Sequence, residues 1–221
     1  MIRMAACFLV AACTVIFAMA GPGGGAGPSS KTWSFDSDKA DGPPAGFMFG
    51  RTGSGPEGRW LVRADKGAPS GGNVLAQIDT DDTDYRFPVA VVKETSFRNL
   101  SLLVRCKAVS GKVDQACGLV FRYKDRDNYY LTRSNALENN VRLYYVKDGK
   151  RKQFAGWNGT VTHGAWHELR VEADGDHFQV HWDGKKVIDA HDATFAEAGM
   201  VGVWTKADSV TYFDGLTVTP R

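Results

Sequence analysis

Residues 118–145, GLVFRYKDRDNYYLTRSNALENNVRLYY, constrain the fold of this chain more than any other stretch. Leu119, Phe121 and Tyr123 alternate with Val120, Arg122 and Lys124, the period of a strand with one buried face. Asp125–Asp127 then supplies a short turn, so the stretch predicts three successive antiparallel strands and their two connections. If Tyr123 stands opposite Tyr129, and Leu131 opposite Leu143, one apolar face collects Leu119, Phe121, Tyr123, Tyr129, Leu131, Val141, Leu143 and Tyr145. The same register leaves Arg122, Tyr130, Thr132, Arg142 and Tyr144 on the opposite face, an arginine and tyrosine ladder where a plain solvated sheet is the ordinary outcome.

The rest of the chain carries the same kind of punctuation. Asp148-Gly149, Asn158-Gly159, Asp174-Gly175 and Asp183-Gly184 are each flanked by alternating apolar residues, which predicts type I′ hairpins. Strands are expected over roughly 59–62, 73–78, 90–92, 97–108, 116–124, 151–157, 166–173, 178–182, 186–190, 199–205 and 210–218, after a first edge strand at Trp33 and Phe35. Residues 193–198 are compatible with one helical turn. About a dozen strands at such spacing and no long amphipathic helix predict an all-β fold of two stacked antiparallel sheets.

At the N-terminus, Arg3 precedes an apolar run over residues 5–20 that closes with Ala18-Met19-Ala20. The run is short for a membrane span and ends in a small-x-small pattern, so residues 1–20 read as a secretory signal peptide. Val10-Ala11-Ala12-Cys13 also fits a bacterial lipobox, the alternative in which Cys13 carries a lipid anchor. Residues 21–30, GPGGGAGPSS, read as a flexible tether, and residues 31–221 as one β domain exported to the periplasm or the exterior. Removing the leader takes away Arg3, so the formal charge falls from +2 to +1. That balance offers no footprint for nucleic acid. It also leaves Cys106 and Cys117 as the only cysteine pair, for which a disulfide across a hairpin is expected and two separate thiols are the alternative.

Residues 118–144, together with Trp166-His167-Glu168-Leu169-Arg170-Val171-Glu172, Trp182-Asp183-Gly184 and residues 202–214 (GVWTKADSVTYFD), resemble the concanavalin A-like lectin and glucanase superfamily. The nearest branch is that of bacterial secreted domains grouped with 3-keto-disaccharide hydrolases and laminin-G-like modules. The resemblance implies a jelly-roll sandwich and a carbohydrate partner, while leaving activity open, since one fold hosts enzymes, binding modules and structural domains.

Four constellations invite a chemical reading. Glu168 and Glu172 are the nearest match to the paired carboxylates of glucanases, yet they stand about 13 Å apart along a strand, and hydrolysis needs carboxyls within roughly 10 Å. Arg170 holds the central position where the glucanase pattern has an acid. His163 with His167, and His177 with His181, have a zinc-like spacing for a helix; in extended chain the same spacing is again about 13 Å and reads as surface histidine. The acidic loop Asp79, Asp81, Asp82 and Asp84 is either a structural calcium site or simply hydrated. Asn158-Gly159-Thr160 fits a glycosylation acceptor, which the turn already explains.

The ladder remains. Aromatic rings stack on the C–H faces of sugars and arginine forks reach hydroxyl or carboxylate groups, so Arg122, Tyr130, Arg142 and Tyr144 are candidate ligand-binding residues. Trp204 and Lys206 join them, because Val201 and Val203 point inward. Arg133, Asn135 and Glu138 are secondary candidates at the adjoining turn. The expected function is carbohydrate binding without catalysis and without a cofactor. The rivals are a glycoside hydrolase of the 3-keto-disaccharide type, with Glu138 as one carboxylate, and a protein-interaction module.

Overall fold

A computed structural model describes residues 29–221. The expected leader, Cys13 and most of the 21–30 tether lie outside those residues. In chain order the strands are β1 (Lys31–Trp33), β2 (Phe47–Gly53), β3 (Trp60–Ala64), β4 (Asn73–Gln77), β5 (Arg86–Val92), β6 (Leu100–Ser110), β7 (Ala116–Asp125) and β8 (Asn128–Asn135). They continue with β9 (Asn140–Lys147), β10 (Lys150–Asn158), β11 (His167–Asp174), β12 (His177–Trp182), β13 (Lys185–His191), β14 (Met200–Trp204) and β15 (Val210–Pro220). Two antiparallel sheets result. The first runs β13-β12-β11-β6-β15-β4-β3, with β1 also on β15, and the second runs β10-β9-β8-β7-β14-β5-β2.

Three of the four glycine turns make hairpins. Asp148-Gly149 joins β9 to β10 and Asp183-Gly184 joins β12 to β13, with φ positive at all four residues, and Gly175 (φ 57°) opens the β11–β12 turn. Asn158-Gly159 does not: β10 and β11 belong to different sheets, so this segment is a crossover between layers. Residues 193–198, where a helical turn was compatible, contain no helix.

The layer between the sheets is the main core. Leu119, Phe121, Tyr130 and Leu143 from the second sheet pack there against Leu102, Val104, Leu169, Val171, Phe178 and Val180 from the first. The aromatic centre is tight: Tyr130 stacks on Phe121 at 5.4 Å and lies 4.8 Å from Phe178. The expected disulfide is present, Cys106 to Cys117 with Cα atoms 6.3 Å apart. It does not cross a hairpin, because β6 and β7 sit in opposite sheets and the bond clamps one layer to the other.

The ladder of the central strands is rearranged. Between Phe121 and Asp125 the β7–β8 pairing shifts, and Arg122 takes the left-handed region at φ 47°. A bulge of this kind inserts a residue and reverses the in-and-out alternation. Leu119 and Phe121 therefore face the core between the sheets, whereas Tyr123 faces the opposite side and stacks on Tyr129 at 5.5 Å. On β8 the pairing is Phe121 with Tyr130 and Leu131 with Tyr144, one residue away from the expected Leu131–Leu143 register. Tyr130 and Thr132 consequently turn inward, while Tyr129 and Leu131 turn outward, the reverse of the sequence expectation.

The outward side of the second sheet is itself apolar and buried. Phe87, Val89, Val91, Val120, Tyr129, Leu131, Val146 and Trp204 form a second cluster there. Curvature makes this possible. β10 and β5 are five strands apart in the sheet order, roughly 24 Å if the sheet were flat. Yet Tyr85, just before β5, donates its hydroxyl to the Gly149 carbonyl at 3.1 Å and accepts from the Arg151 N–H at 3.0 Å. The sheet is rolled until its two sides nearly meet.

The inter-layer disulfide closes a loop with a sequence separation of 11, for which the chain-entropy relation gives roughly 2–3 kcal/mol. A Cys106→Ala/Cys117→Ala variant is therefore expected to lose about that much in urea unfolding, with a lower midpoint and a similar slope. An unchanged midpoint would contradict it.

Candidate functional site

At the end of the rolled sheet where β7 begins and β8 ends, polar groups replace the apolar lining. Arg133, 4% exposed, projects from β8 on the outward side. Its guanidinium donates to the Asn140 side-chain carbonyl, to the Glu138 carboxylate at 2.7 Å and to the Tyr144 hydroxyl at 3.0 Å. Asn140 in turn donates to the same Glu138 oxygen at 3.0 Å. Asn135 donates to Asp114 at 2.8 Å. Lys206, beyond β14, bridges Asp114 at 3.0 Å and Asp84 at 2.6 Å. Asp114 is held by its own loop: the Asp208 carboxylate accepts the backbone N–H groups of Lys112, Val113 and Asp114 at 2.6, 3.1 and 3.0 Å. A cleft of about 400 Å³ opens beside the network, lined by Thr80, Asp82, Ser110, Gly111, Lys112, Val113 and Asp208.

Behind this rim lies an aromatic floor with a cation on it. The Arg151 guanidinium sits 4.4 Å from the Phe87 ring, 4.7 Å from Tyr144 and 5.7 Å from Trp204. Its Nη1 is buried without an acceptor. Trp204 is fully covered and packs against Gly118, where a Cβ would stand only 3.1 Å from the indole. The floor therefore offers no open ring for a sugar to stack on; what the site presents is hydrogen-bonding capacity.

Charge is balanced across the rim. Burial pushes the Glu138 carboxyl up, but Arg133 and Asn140 together hold it below its ordinary range, so it stands as an ionised acceptor. Lys206 keeps Asp84 ionised as well. Asp114 is the exception, raised by burial despite the attraction of Lys206 and Arg133. Burial alone would weaken the Lys206 ammonium, and the two carboxylates it bridges more than restore it.

Of the residues singled out in the sequence, Tyr144, Trp204, Lys206, Arg133, Asn135 and Glu138 meet at this end of the sheet. Arg122 and Tyr130 do not. The bulge turns the Arg122 guanidinium to the carbonyls of Arg98, Phe195 and Gly175, and Tyr130 donates to Asp192 from within the main core at 2.6 Å. Arg142 keeps to the outward side, but toward the edge strand, where it binds the Trp157 carbonyl and Asn158. The continuous ladder is thus broken into separate places. Arg151, Asp114 and Asn140 were missed by sequence reasoning, and Asp84 was read only as part of the acidic loop. Arg151 was within reach, since the Asp148-Gly149 turn sets it opposite Val146 and so on the same face as Tyr144.

The other constellations resolve into local contacts. The loop carboxylates go to different partners: Asp79 pairs with Arg86, Asp81 accepts the Thr83 N–H, and Asp84 takes Lys206. Glu168 and Glu172 line the outer side of the first sheet, Glu172 with Arg221 at 2.9 Å and Glu168 near Arg105 at 3.9 Å. His167 bonds Asp183 and His177 bonds Asp189. Among the described residues no group of three or more histidine, cysteine or acidic side chains is placed to hold a metal ion.

The two-sheet architecture is similar to that of known structures. The carbohydrate binding module CBM66 from Bacillus subtilis superposes with a TM-score of 0.61 at 23% identity, over 79% of this chain and 95% of that one. The exoplasmic domain of VIP36, solved with calcium and mannose bound, superposes at 0.56 with 13% identity, over 80% of this chain and 84% of that one. The fold is the concanavalin A-like jelly roll. By sequence, levanase of Bacillus subtilis (strain 168) is 32% identical over 104 residues. That match takes in 46% of this chain and 15% of the levanase, so only a small part of the larger protein is represented. No protein-family model matches the chain.

Lys206 is the cation that the buried Asp114 depends on, which gives a signed pH effect. In Lys206→Met the Asp114 carboxyl rises further above its unfolded value, so the variant loses stability as pH rises through that raised range. Breaking such a pair costs about 3 kcal/mol, and the deficit relative to the parent is expected at pH 7 and to shrink toward pH 4, measured by urea unfolding. A deficit independent of pH would show that Asp114 is not the group affected.

Proposed function

We propose that the chain is a non-catalytic carbohydrate-recognition domain and that the sugar binds at the open end of the rolled sheet. One observation carries this reading: donors and acceptors are held side by side there, Arg133 with Glu138 and Asn140, and Lys206 with Asp84. A sugar hydroxyl both donates and accepts, so a surface that offers each role in turn recognises a polyol without demanding net charge. The side chains are held before ligand arrives, which reduces the ordering cost of binding. Similarity to a module named for carbohydrate binding, and to part of a levanase, supports the same conclusion.

The state of Glu138 supports recognition over hydrolysis. A general acid must hold a proton near its working pH, whereas Arg133 and Asn140 favour the ionised carboxylate. Glu138 suits accepting a hydroxyl hydrogen.

The site is further proposed to work outside the cytoplasm. The disulfide supports that placement, since such bonds persist in oxidising compartments, and so does the leader read in residues 1–20. No helix among the described residues is long and apolar enough to cross a membrane.

Titration calorimetry against a panel of neutral oligosaccharides, levan fragments among them, tests the reading. Glu138→Gln and Tyr144→Phe each remove a single polar function, and each is expected to weaken a bound sugar about tenfold, near the cost of one strong hydrogen bond. Glu138→Gln also removes the carboxylate partner of the buried Arg133, so its thermal midpoint is expected to fall, and affinities are compared at a temperature where both variants remain folded. Saccharide affinity unaffected by both substitutions would place the site elsewhere, and no affinity for any member of a broad glycan array would remove the reading.

A further inference from the structure

A second cleft, of about 320 Å³, lies where the bulge diverts Arg122 from the sheet, lined by Arg98, Arg122, Gly175, Asp176, Ala193, Phe195 and Ala196. Arg122 is buried, 1% exposed, and makes three side-chain hydrogen bonds, all to backbone carbonyls, at 3.0, 2.7 and 2.5 Å. A guanidinium has more N–H donors than these bonds use. No carboxylate lies within ion-pair distance of it among the described residues, and burial pulls its pKa down. Such a cation is ordinarily paired when buried.

Its surroundings increase the positive charge. Arg98, exposed on the same wall, makes no side-chain hydrogen bond or ion pair among the described residues. Lys124 holds its ammonium 5.5 Å above the Phe195 ring. Of the acids nearby, Asp192 accepts from Tyr130 at 2.6 Å and from the Thr194 N–H at 2.8 Å, while Asp176 on the cleft wall faces His191 at 3.3 Å and its charge favours the Arg122 cation from beyond ion-pair distance. The remaining wall is apolar, made of Phe195, Ala193 and Ala196.

We propose that this cleft is a second ligand site, separate from the carbohydrate rim, and that it takes a small organic monocarboxylate, the carboxylate on Arg98 and Arg122 and the apolar part against Phe195. Planar guanidinium matches planar carboxylate in a two-point fork. Asp176 on the wall argues for a single negative charge over a dianion, since a phosphate or sulfate would meet more of its repulsion.

The test uses sodium benzoate as the probe, benzyl alcohol as its uncharged counterpart and inorganic phosphate as the rival anion, followed by amide chemical shifts in the intact exported chain. Benzoate is expected to bind in the micromolar to millimolar range, moving the Gly175 and Phe195 amides, with benzyl alcohol at least about tenfold weaker. Arg98→Ala, an exposed change with little expected effect on stability, should weaken benzoate about tenfold and leave saccharide binding at the rim as it was. Benzoate no tighter than benzyl alcohol, phosphate as tight as benzoate, or Arg98→Ala without effect would each overturn the proposal. Since Arg98 is remote from the rim network, none of these results bears on the carbohydrate reading.

Discussion

The seven-stranded sheet is buried on both sides, and that single constraint organises the molecule. One side packs on the other sheet in the usual manner of a sandwich. The other has no third layer to cover it, so the sheet rolls until β10 and the start of β5 shield the apolar side chains between them, with Tyr85 and Arg151 closing the gap. Rolling fills the middle of the trough with Phe87, Trp204 and Leu131 and leaves polar groups to its two ends, Thr52 with Tyr129 at one and the Arg133 network at the other. The rim of Arg133, Glu138 and Lys206 exists because the apolar lining stops there.

Burial on both sides also explains what could be read from the sequence. Hairpin turns at Asp148-Gly149 and Asp183-Gly184, the inward Val201 and Val203, and the two-sheet class were all legible, because local turn chemistry and period-two alternation determine them. Residues 122–123 and 129–132 were misassigned for a specific reason. When both sides of a strand are apolar, alternation no longer marks which is inside, and Leu131 is as comfortable facing Trp204 as it would be facing Phe178. The bulge at Arg122 then reverses parity, with no glycine to announce it. Asn158-Gly159 shows the converse error, where a good turn dipeptide ends a strand at a crossover between layers.

The site was half legible for related reasons. Glu138, Arg133 and Asn135 were found because they sit at the β8–β9 turn next to Tyr144 in sequence. Asp84, Asp114 and Arg151 come from elements far apart in the chain, and only the curvature brings them to the same place. Of the aromatic candidates, Tyr144 and Trp204 lie at this end of the sheet, whereas Tyr130 lies in the main core. Trp204 is a covered support, and the contacts open to a ligand are polar. On the proposed reading, fixed hydrogen-bonding groups would favour discrimination between hydroxyl arrangements, since an unmatched buried polar group is costly.

The bond between Cys106 and Cys117 has a consequence for the mechanics of the rim. Cys117 lies three residues past Asp114, and the intervening Ala116 donates its N–H to Ser209 at 3.0 Å, three residues beyond Lys206. The covalent clamp therefore anchors the same corner from which both partners of the Asp114–Lys206 bridge emerge. Slippage of one layer over the other would be resisted at this corner, so the rim is tied to both layers by a covalent bond a few residues away.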